Sequence, residues 1–310
     1  MKILITGGAG TLGSNIIEQL LNQDSVEIIC VDNFETGSIE NLSFLPKEQI
    51  FQGSVANFDF LENVFSKFKP DVVIHSAASY KDPDNYQEDA RTNIIGSINV
   101  GRLSKLNDVS KVINFQTALC YGIPKKTPIS IDHELSPFTS YGISKTHGEY
   151  YLSQMEIPLI SLRLSNICSK KLSIGPIPTF YSRIKLGKSC YCSDAIRDFL
   201  DFDDFFELLK IILFKSNRLG KFNVSSGIGV SITDVFNEVK KIMGKDNVFA
   251  ELRSISKDDN PEVVLDPTVT EETFGWKAKI SFKKIIERQI NFYEIEGVKN
   301  IFSHLKQENE

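Results

Sequence analysis

Histidine, cysteine and tryptophan are scarce in this chain, at four, five and one among 310 residues. Five cysteines are an odd number without framework spacing, which excludes a disulfide-stapled scaffold and suits reduced thiols. Cys190-Tyr191-Cys192 is the only close pair, and alternation along a strand accounts for it, because structural zinc usually needs four ligands. His75, His133, His147 and His304 show no ligand spacing either, and no metal site is expected. Long apolar runs are also missing. None approaches the ~20 residues that span a bilayer, so no membrane partner is expected. The opening Lys2-Ile3-Leu4-Ile5 lacks the pattern of a leader, and the expected location is the cytoplasm. Neither sign of charge dominates. A net charge of -5 with scattered Lys and Arg argues against a nucleic-acid partner, while small anions need only a local positive pocket.

What is present is apolar material, 41% of the residues, enough to fill one large domain or two that share a cleft. The first half alternates short β-rich runs with longer amphipathic stretches, the pattern of a parallel sheet covered on both faces. Strands are predicted at Lys2–Thr6, Glu27–Val31, Ile50–Gln52, Asp71–His75, Lys111–Gln116 and Pro158–Arg163. Helices are predicted after Thr11 and over Phe58–Phe68, Gln87–Lys105 and Ser140–Gln154. The fold class is α/β, a Rossmann-type doubly wound parallel sheet over residues 1–165 followed by a smaller mixed α/β substrate domain over 166–310. Phe222–Val224 is apolar enough to return to the main sheet as an edge strand, and Ser169–Pro178 reads as a loop.

The first strand runs into Gly7-Gly8-Ala9-Gly10-Thr11-Leu12-Gly13 and then a helix. Gly7, Gly10 and Gly13 suit a tight turn, close backbone approach to a pyrophosphate at a helix N-terminus, and close helix-sheet packing. Asp32 ends the next strand, where a carboxylate accepts hydrogen bonds from an adenosine ribose and repels a 2'-phosphate, favouring NAD over NADP. An ordinary turn and a solvated Asp32 are the plain alternative. Gly187-Lys188-Ser189 mimics the end of a phosphate loop, but Ser182 stands where its first glycine belongs.

Three tyrosines have a lysine four residues later: Tyr121 with Lys125, Tyr141 with Lys145, and Tyr181 with Lys185. On a helix that interval sets an ammonium one turn from a phenol, whose proton is otherwise lost only near pH ~10. Pro124 disfavours a helical turn in the first pair. The third lies beyond the irregular loop, where a core or surface helix explains it. Tyr141 opens a helix that follows the fifth strand, and Thr117 at the end of that strand offers a hydroxyl for the substrate oxygen.

Taken in order, these pieces resemble the extended short-chain dehydrogenase/reductases, the NAD-dependent nucleotide-sugar epimerases and dehydratases. The resemblance spans essentially the whole chain. It rests on the glycine motif, Asp32-Asn33-Phe34, Glu40-Asn41-Leu42, His75-Ser76-Ala77-Ala78, Asn93, Thr117 to Gly122, Tyr141 with Lys145, Arg163 to Asn166, Arg197-Asp198-Phe199 and Gly275-Trp276. The runs Phe115 to Gly122 and Ile174 to Phe180 look most like epimerase-type proteins of bacterial O-antigen and capsule clusters. The resemblance implies NAD contacts from Gly7, Gly10, Thr11, Leu12, Gly13, Asp32, Asn33, Ser54, Val55, Ser76, Ala77, Ala78, Asn93, Tyr141 and Lys145. It also implies a homodimer formed through the two long helices.

The family's dehydratases carry an acidic pair directly after the active-site Ser or Thr, and its decarboxylases a glutamate two residues on. Here Ala118 and Leu119 follow Thr117. Simple redox at one carbon remains, and the resemblance then implies that Tyr141 takes the proton of the sugar 4-hydroxyl, Lys145 lowers the tyrosine's proton affinity and Thr117 holds the oxygen. The expected activity is therefore a nucleotide-sugar epimerase, acting at C4 in surface polysaccharide synthesis. The alternatives are a net oxidoreductase, a dehydratase or decarboxylase, and a non-catalytic NAD-binding regulator. For the nucleotide-diphosphate sugar, Asn166 and Arg197 match family contacts, although Arg197-Asp198 also reads as a local ion-pair fixture. Lys257 either replaces a missing second phosphate arginine or makes no contact, and Lys81 either meets an anionic sugar group or is solvated. Cys120, close to the site in sequence, reads as a small buried residue.

Overall fold

Val, Ile and Leu fill the short strands of the first half, and in the computed structural model these strands pair in parallel. Residues 1–23, 26–80, 82–255, 259–298 and 301 are described. The elements run β1 (Lys2–Thr6), α1 (Thr11–Leu20), β2 (Glu27–Asp32), β3 (Ile50–Gln52), α2 (Phe58–Phe68), β4 (Val72–His75), α3 (Tyr86–Asp89), a π-helical turn (Ala90–Ile95), α4 (Gly96–Leu106), β5 (Lys111–Thr117), α5 (Ser140–Ser153) and β6 (Leu159–Leu164). Next come β7 (Asn166–Cys168), α6 (Pro176–Lys185), β8 (Cys190–Cys192), β9 (Ile196–Asp201), α7 (Phe202–Phe214) and β10 (Gly220–Val224). The chain continues through β11 (Gly229–Ser231), α8 (Ile232–Ile242), β12 (Ala250–Leu252), β13 (Glu262–Val263), α9 (Thr268–Phe274) and α10 (Phe282–Glu296).

The main sheet has seven strands in the order β10-β6-β5-β4-β1-β2-β3. The direction of strand addition reverses between β1 and β4, which pair in parallel with Thr6 opposite His75. Such a switch point opens a crevice beyond the carboxyl ends of the two strands, where ligands of doubly wound folds bind. One face of the sheet packs Leu4, Val31, Val73 and Val112 against Leu61 and Phe65 of α2 and Val100 and Leu103 of α4. Strands covered on both faces explain the near-continuous apolar runs in β1 and β4.

Two predicted elements differ from the structure. The helix expected over Gln87–Lys105 is interrupted by the π-helical turn, where the Asn93 carbonyl accepts the Ser97 hydroxyl at 2.7 Å and the Asn93 side chain is drawn to other partners. Single π turns of this kind recur at functional sites. Pro176 to Pro178 were expected in a loop but form the first turn of α6, since proline at the start of a helix loses no internal hydrogen bond.

The chain divides into two compact units, the first comprising Met1–Cys120, Pro137–Arg163 and Arg218–Phe222, the second Tyr121–Ser136, Leu164–Asn217 and Asn223–Glu310. They are similar in chain length, where the sequence pointed to a smaller second domain, because residues 121–136 fold with the second unit. There the Ile129 amide donates to Val264 at 2.7 Å and the Tyr121 hydroxyl to the Asn223 side chain at 2.7 Å. Within this unit β9 pairs with β7, β11 and β13, while Phe180 and Tyr181 of α6 pack with Phe236 of α8 and Ile286, Ile290 and Tyr293 of α10. Among the described residues, no helix is long and apolar enough to cross a membrane.

Candidate active site

The turn after β1 is built so that only glycine fits at two positions. Gly7 has a φ of +68°, and a Cβ there would lie 2.6 Å from the Ala77 backbone. A Cβ on Gly13 would lie 2.3 Å from the Gly7 carbonyl, so α1 sits directly on the turn. At Gly10 a Cβ would meet only the Gly7 carbonyl at 3.3 Å, which leaves the N-terminus of α1 with Thr11 and Leu12 approachable by a bulky anion. Asp32, at the end of β2, is buried; its carboxylate accepts the Ala9 amide at 2.9 Å and the Phe34 amide at 2.8 Å. Burial pushes its proton affinity up, and these two backbone donors oppose that. Each oxygen retains accepting capacity toward a ribose diol. A glycine cradle facing a helix N-terminus, followed by an acceptor carboxylate, fits an adenine dinucleotide.

The remaining expected cofactor residues border the same edge of the sheet. Asn33 accepts the Glu35 amide at 3.2 Å and Ser54 the Ala56 amide at 3.2 Å, while the Val55 carbonyl is held by Asn99 at 3.0 Å. The Ser76 hydroxyl donates to the Thr6 carbonyl at 2.7 Å, and the Ala77 amide to the Thr6 hydroxyl at 3.3 Å, tying the ends of β1 and β4 together just before Ala78. His75 is fully buried between Thr6 at 2.8 Å and Ser97 at 3.0 Å. Burial, helped by the positive charge of Lys145, lowers its pKa to about 3, so it is neutral. Asn93 donates to the Ser79 carbonyl and to the Ser144 hydroxyl, both at 2.9 Å, and accepts the Ser79 amide at 2.9 Å.

Thr117 ends β5, and its hydroxyl oxygen accepts the Leu119 amide at 3.2 Å, leaving the O–H proton for another acceptor. Thr139 caps α5 by accepting the Gly142 amide at 3.1 Å, which puts Tyr141 in the first turn and Lys145 one turn later. Gln116 joins the two elements: its side chain accepts the Thr117 amide at 2.8 Å and donates to the Lys145 carbonyl at 2.9 Å. Below them Glu149 and Arg163 form a buried ion pair at 2.9 Å, with the Ser161 hydroxyl donating to Glu149 at 2.5 Å.

The electrostatics correct one expectation. Burial raises the proton affinity of Tyr141 above the ordinary phenol value, and the nearby Tyr80 and Asp89 raise it further. Lys145 itself is shifted: burial lowers its pKa to about 8, and Glu149 one turn on opposes the fall. The Tyr80 ring stands edge-on to Tyr141, centroids 5.9 Å apart, and burial followed by the charge of Asp32 pushes its phenol up to about 12.

The rival pairs resolve differently. Tyr121 bonds Asn223 and Lys125 bonds Glu134, so that pair is split. In α6 the Lys185 ammonium does donate to the Tyr181 hydroxyl, at 2.7 Å, but Tyr181 is packed against α10 and donates to the Tyr293 carbonyl. Spacing alone therefore makes a tyrosine–lysine bond in a purely packing context. In the second unit, Asn166 donates to the Asp198 carbonyl at 3.0 Å, beside Arg197 on the neighbouring strand. Arg197 is ion-paired with Asp259 rather than with its neighbour Asp198, whose carboxylate is taken by Ser226 and Gly227. Lys81 and Lys257 lie outside the described residues.

Sequence reasoning gave no role to Gln116 or Asp89. Gln116 had one signal, since it alternates with Asn114 among the apolar residues of β5, and both prove to be buried and hydrogen-bonded.

Residues 3–225 match the family described as NAD dependent epimerase/dehydratase. The crystal structure of the Bordetella bronchiseptica enzyme WbmG in complex with NAD is 51% identical, has a TM-score of 0.92, and covers 99% of this chain and 98% of its own. The same enzyme in complex with NAD and UDP gives 50% identity and a TM-score of 0.90, over 98% of this chain and 97% of its own. The bifunctional UDP-glucose 4-epimerase and UDP-xylose 4-epimerase 1 of Pisum sativum is 29% identical over 94% of this chain and 95% of its own length.

Proposed function

This chain belongs to the NAD dependent epimerase/dehydratase family and is an NAD-dependent enzyme of the extended short-chain dehydrogenase/reductase type, and from that premise we propose that it interconverts C4 epimers of a nucleotide-diphosphate sugar used to make a bacterial surface polysaccharide. The observation that carries the reading is the turn after Thr117. Ala118 to Tyr121 contain no acid, and Ala118 is buried, so the site has no carboxylate there to eliminate water from the sugar.

Each residue then has a defined task. Tyr141 takes the proton of the sugar 4-hydroxyl and returns it after the sugar has turned in the pocket. Thr117 donates its free O–H proton to the same sugar oxygen and fixes it against Tyr141. Lys145, cationic below its pKa of about 8, stabilises the phenolate that the buried phenol resists forming. NAD, when bound, supplies the hydride acceptor and donor and a positively charged ring. Asp32 receives the ribose hydroxyls, and the α1 N-terminus receives the pyrophosphate. Asn166 and Arg197 hold the diphosphate of the substrate, so that binding energy on the nucleotide retains the sugar while it turns. Lys81 and Lys257 are further candidates for anionic groups of the substrate. The reading includes a cytoplasmic homodimer through α4 and α5, on which Leu106, Tyr150 and Tyr151 are exposed.

The test is to supply UDP-, GDP-, CDP- and dTDP-sugars with excess NAD, following the sugar by NMR and NADH by absorbance. The reading predicts a C4 epimer of one of them with no build-up of NADH. Sustained NADH growth with release of a keto sugar would make the protein a net oxidoreductase instead.

A further inference from the structure

Asp89 is buried at 1% exposure, and it sits in none of the motifs that carry the resemblance. One carboxylate oxygen accepts the Ser79 hydroxyl at 2.8 Å and the other the Ser140 hydroxyl at 2.6 Å. Ser79 precedes Tyr80 on the loop after β4, and Ser140 precedes Tyr141 in the first turn of α5. The two tyrosine rings that follow meet edge to face, centroids 5.9 Å apart with an interplanar angle of 62°. Four residues beyond Asp89, Asn93 repeats the arrangement, holding the Ser79 backbone on one side and Ser144 on the other. Ser140 and Ser144 are also four apart, so two rungs join the same faces of two helical segments. Asp89 is the charged rung, and it lies beside the reacting phenol.

We propose that Asp89 is a positioning residue: its buried carboxylate ties the Tyr80 loop to the first turn of α5 and so fixes the Tyr80–Tyr141 pair in the geometry the reaction uses. A carboxylate is suited to this: ionised, it is acceptor-only and receives both serine hydroxyls at once, whereas a carboxamide turns one of its two arms into a donor. Its charge also raises the proton affinity of Tyr141, a cost that Lys145 must offset before the phenol can act as a base. Asp82 and Glu88 push the Asp89 proton affinity up as burial does, while the two serine donors hold it down.

The proposal rests on Tyr141 being the proton-transfer group, and the experiment separates the two ideas. Purified full-length enzyme carrying fluorotyrosine is compared by 19F NMR with its Asp89→Ala and Asp89→Asn variants, with Tyr80 and Tyr141 assigned through Tyr→Phe variants. In Asp89→Ala both resonances shift or broaden while those of Tyr181 and Tyr293 stay in place. With a substrate in hand, Asp89→Ala lowers kcat by about 100-fold with KM changed less than about 3-fold, the loss a misplacement near 1 Å brings. Asp89→Asn, which keeps the shape and one accepting arm, recovers part of that rate. Unchanged Tyr80 and Tyr141 resonances in Asp89→Ala overturn the proposal, whatever the substrate proves to be. Lost turnover in Tyr141→Phe with full turnover in Asp89→Ala also overturns it while leaving the functional reading intact.

Discussion

Gln116 and Lys145 are joined by a hydrogen bond of 2.9 Å from the glutamine amide to the lysine carbonyl. The same side chain receives the Thr117 amide at 2.8 Å, so one residue sets the distance between β5 and the turn of α5 that bears the lysine. Gln116→Leu removes both bonds and strands the Thr117 amide, at roughly 1–3 kcal/mol. The expected result is a kcat reduced about 10-fold or more, with a modest fall in melting temperature. Gln116→Glu keeps the acceptor for Thr117 but sets a carboxylate against a carbonyl, and steady-state kinetics should rank it below Gln116→Leu.

Tyr141→Phe keeps the ring and its edge-on contact with Tyr80 while deleting the proton carrier. Turnover should fall by about 10²- to 10⁴-fold, the usual contribution of a positioned acid-base group. NAD that copurifies should remain near wild-type stoichiometry, measured by absorbance after denaturation.

Glu149 and Arg163 form an ion pair with side-chain exposures of 0% and 3%, and Ser161 also donates to the carboxylate. Glu149→Gln leaves a buried guanidinium without its counter-charge and should destabilise the protein by roughly 3–5 kcal/mol in denaturant unfolding. The double replacement Glu149→Leu with Arg163→Met should recover most of that loss, because it removes both charges together.

His75 gives a pH signature. Its pKa falls from 6.5 to about 3 in the folded protein, so between those values the unfolded chain binds a proton that the native state refuses. Stability therefore rises with pH across that window and is lost on acidification, by at most about 5 kcal/mol from this group. Unfolding free energies measured from pH ~7 downward should fall less steeply in His75→Gln than in the wild type. Equal slopes would contradict the assignment.

The parts legible in the sequence were those whose cause is local. Gly7 and Gly13 stand where any side chain would strike backbone, so the turn is written in the glycines themselves. Asp32 at a strand end, Thr139 as a helix cap and Tyr141 one turn before Lys145 follow in the same way from neighbours in the chain. What escaped was set by residues far apart in sequence. The interruption of the long helix depends on Asn93 meeting Ser79 and Ser144, and the bridge from Asp89 to Ser140 spans the same distance. Burial and the neighbours Tyr80 and Asp89 raise the proton affinity of Tyr141, and none of these is visible from the spacing of two residues.

The central claim is oxidation and re-reduction at a single sugar carbon. Its most direct test uses a turned-over nucleotide-sugar substrate carrying deuterium at C4, run in ordinary water, and the unlabelled sugar run in heavy water, with both products read by NMR. The account predicts that the C4 label is retained in both epimers and that no solvent deuterium enters the ring. Loss of the C4 label, or uptake of deuterium at C3 or C5, would mean that the stereocentre is inverted through carbon-bound protons, and the account given to Tyr141, Thr117 and Lys145 would be wrong.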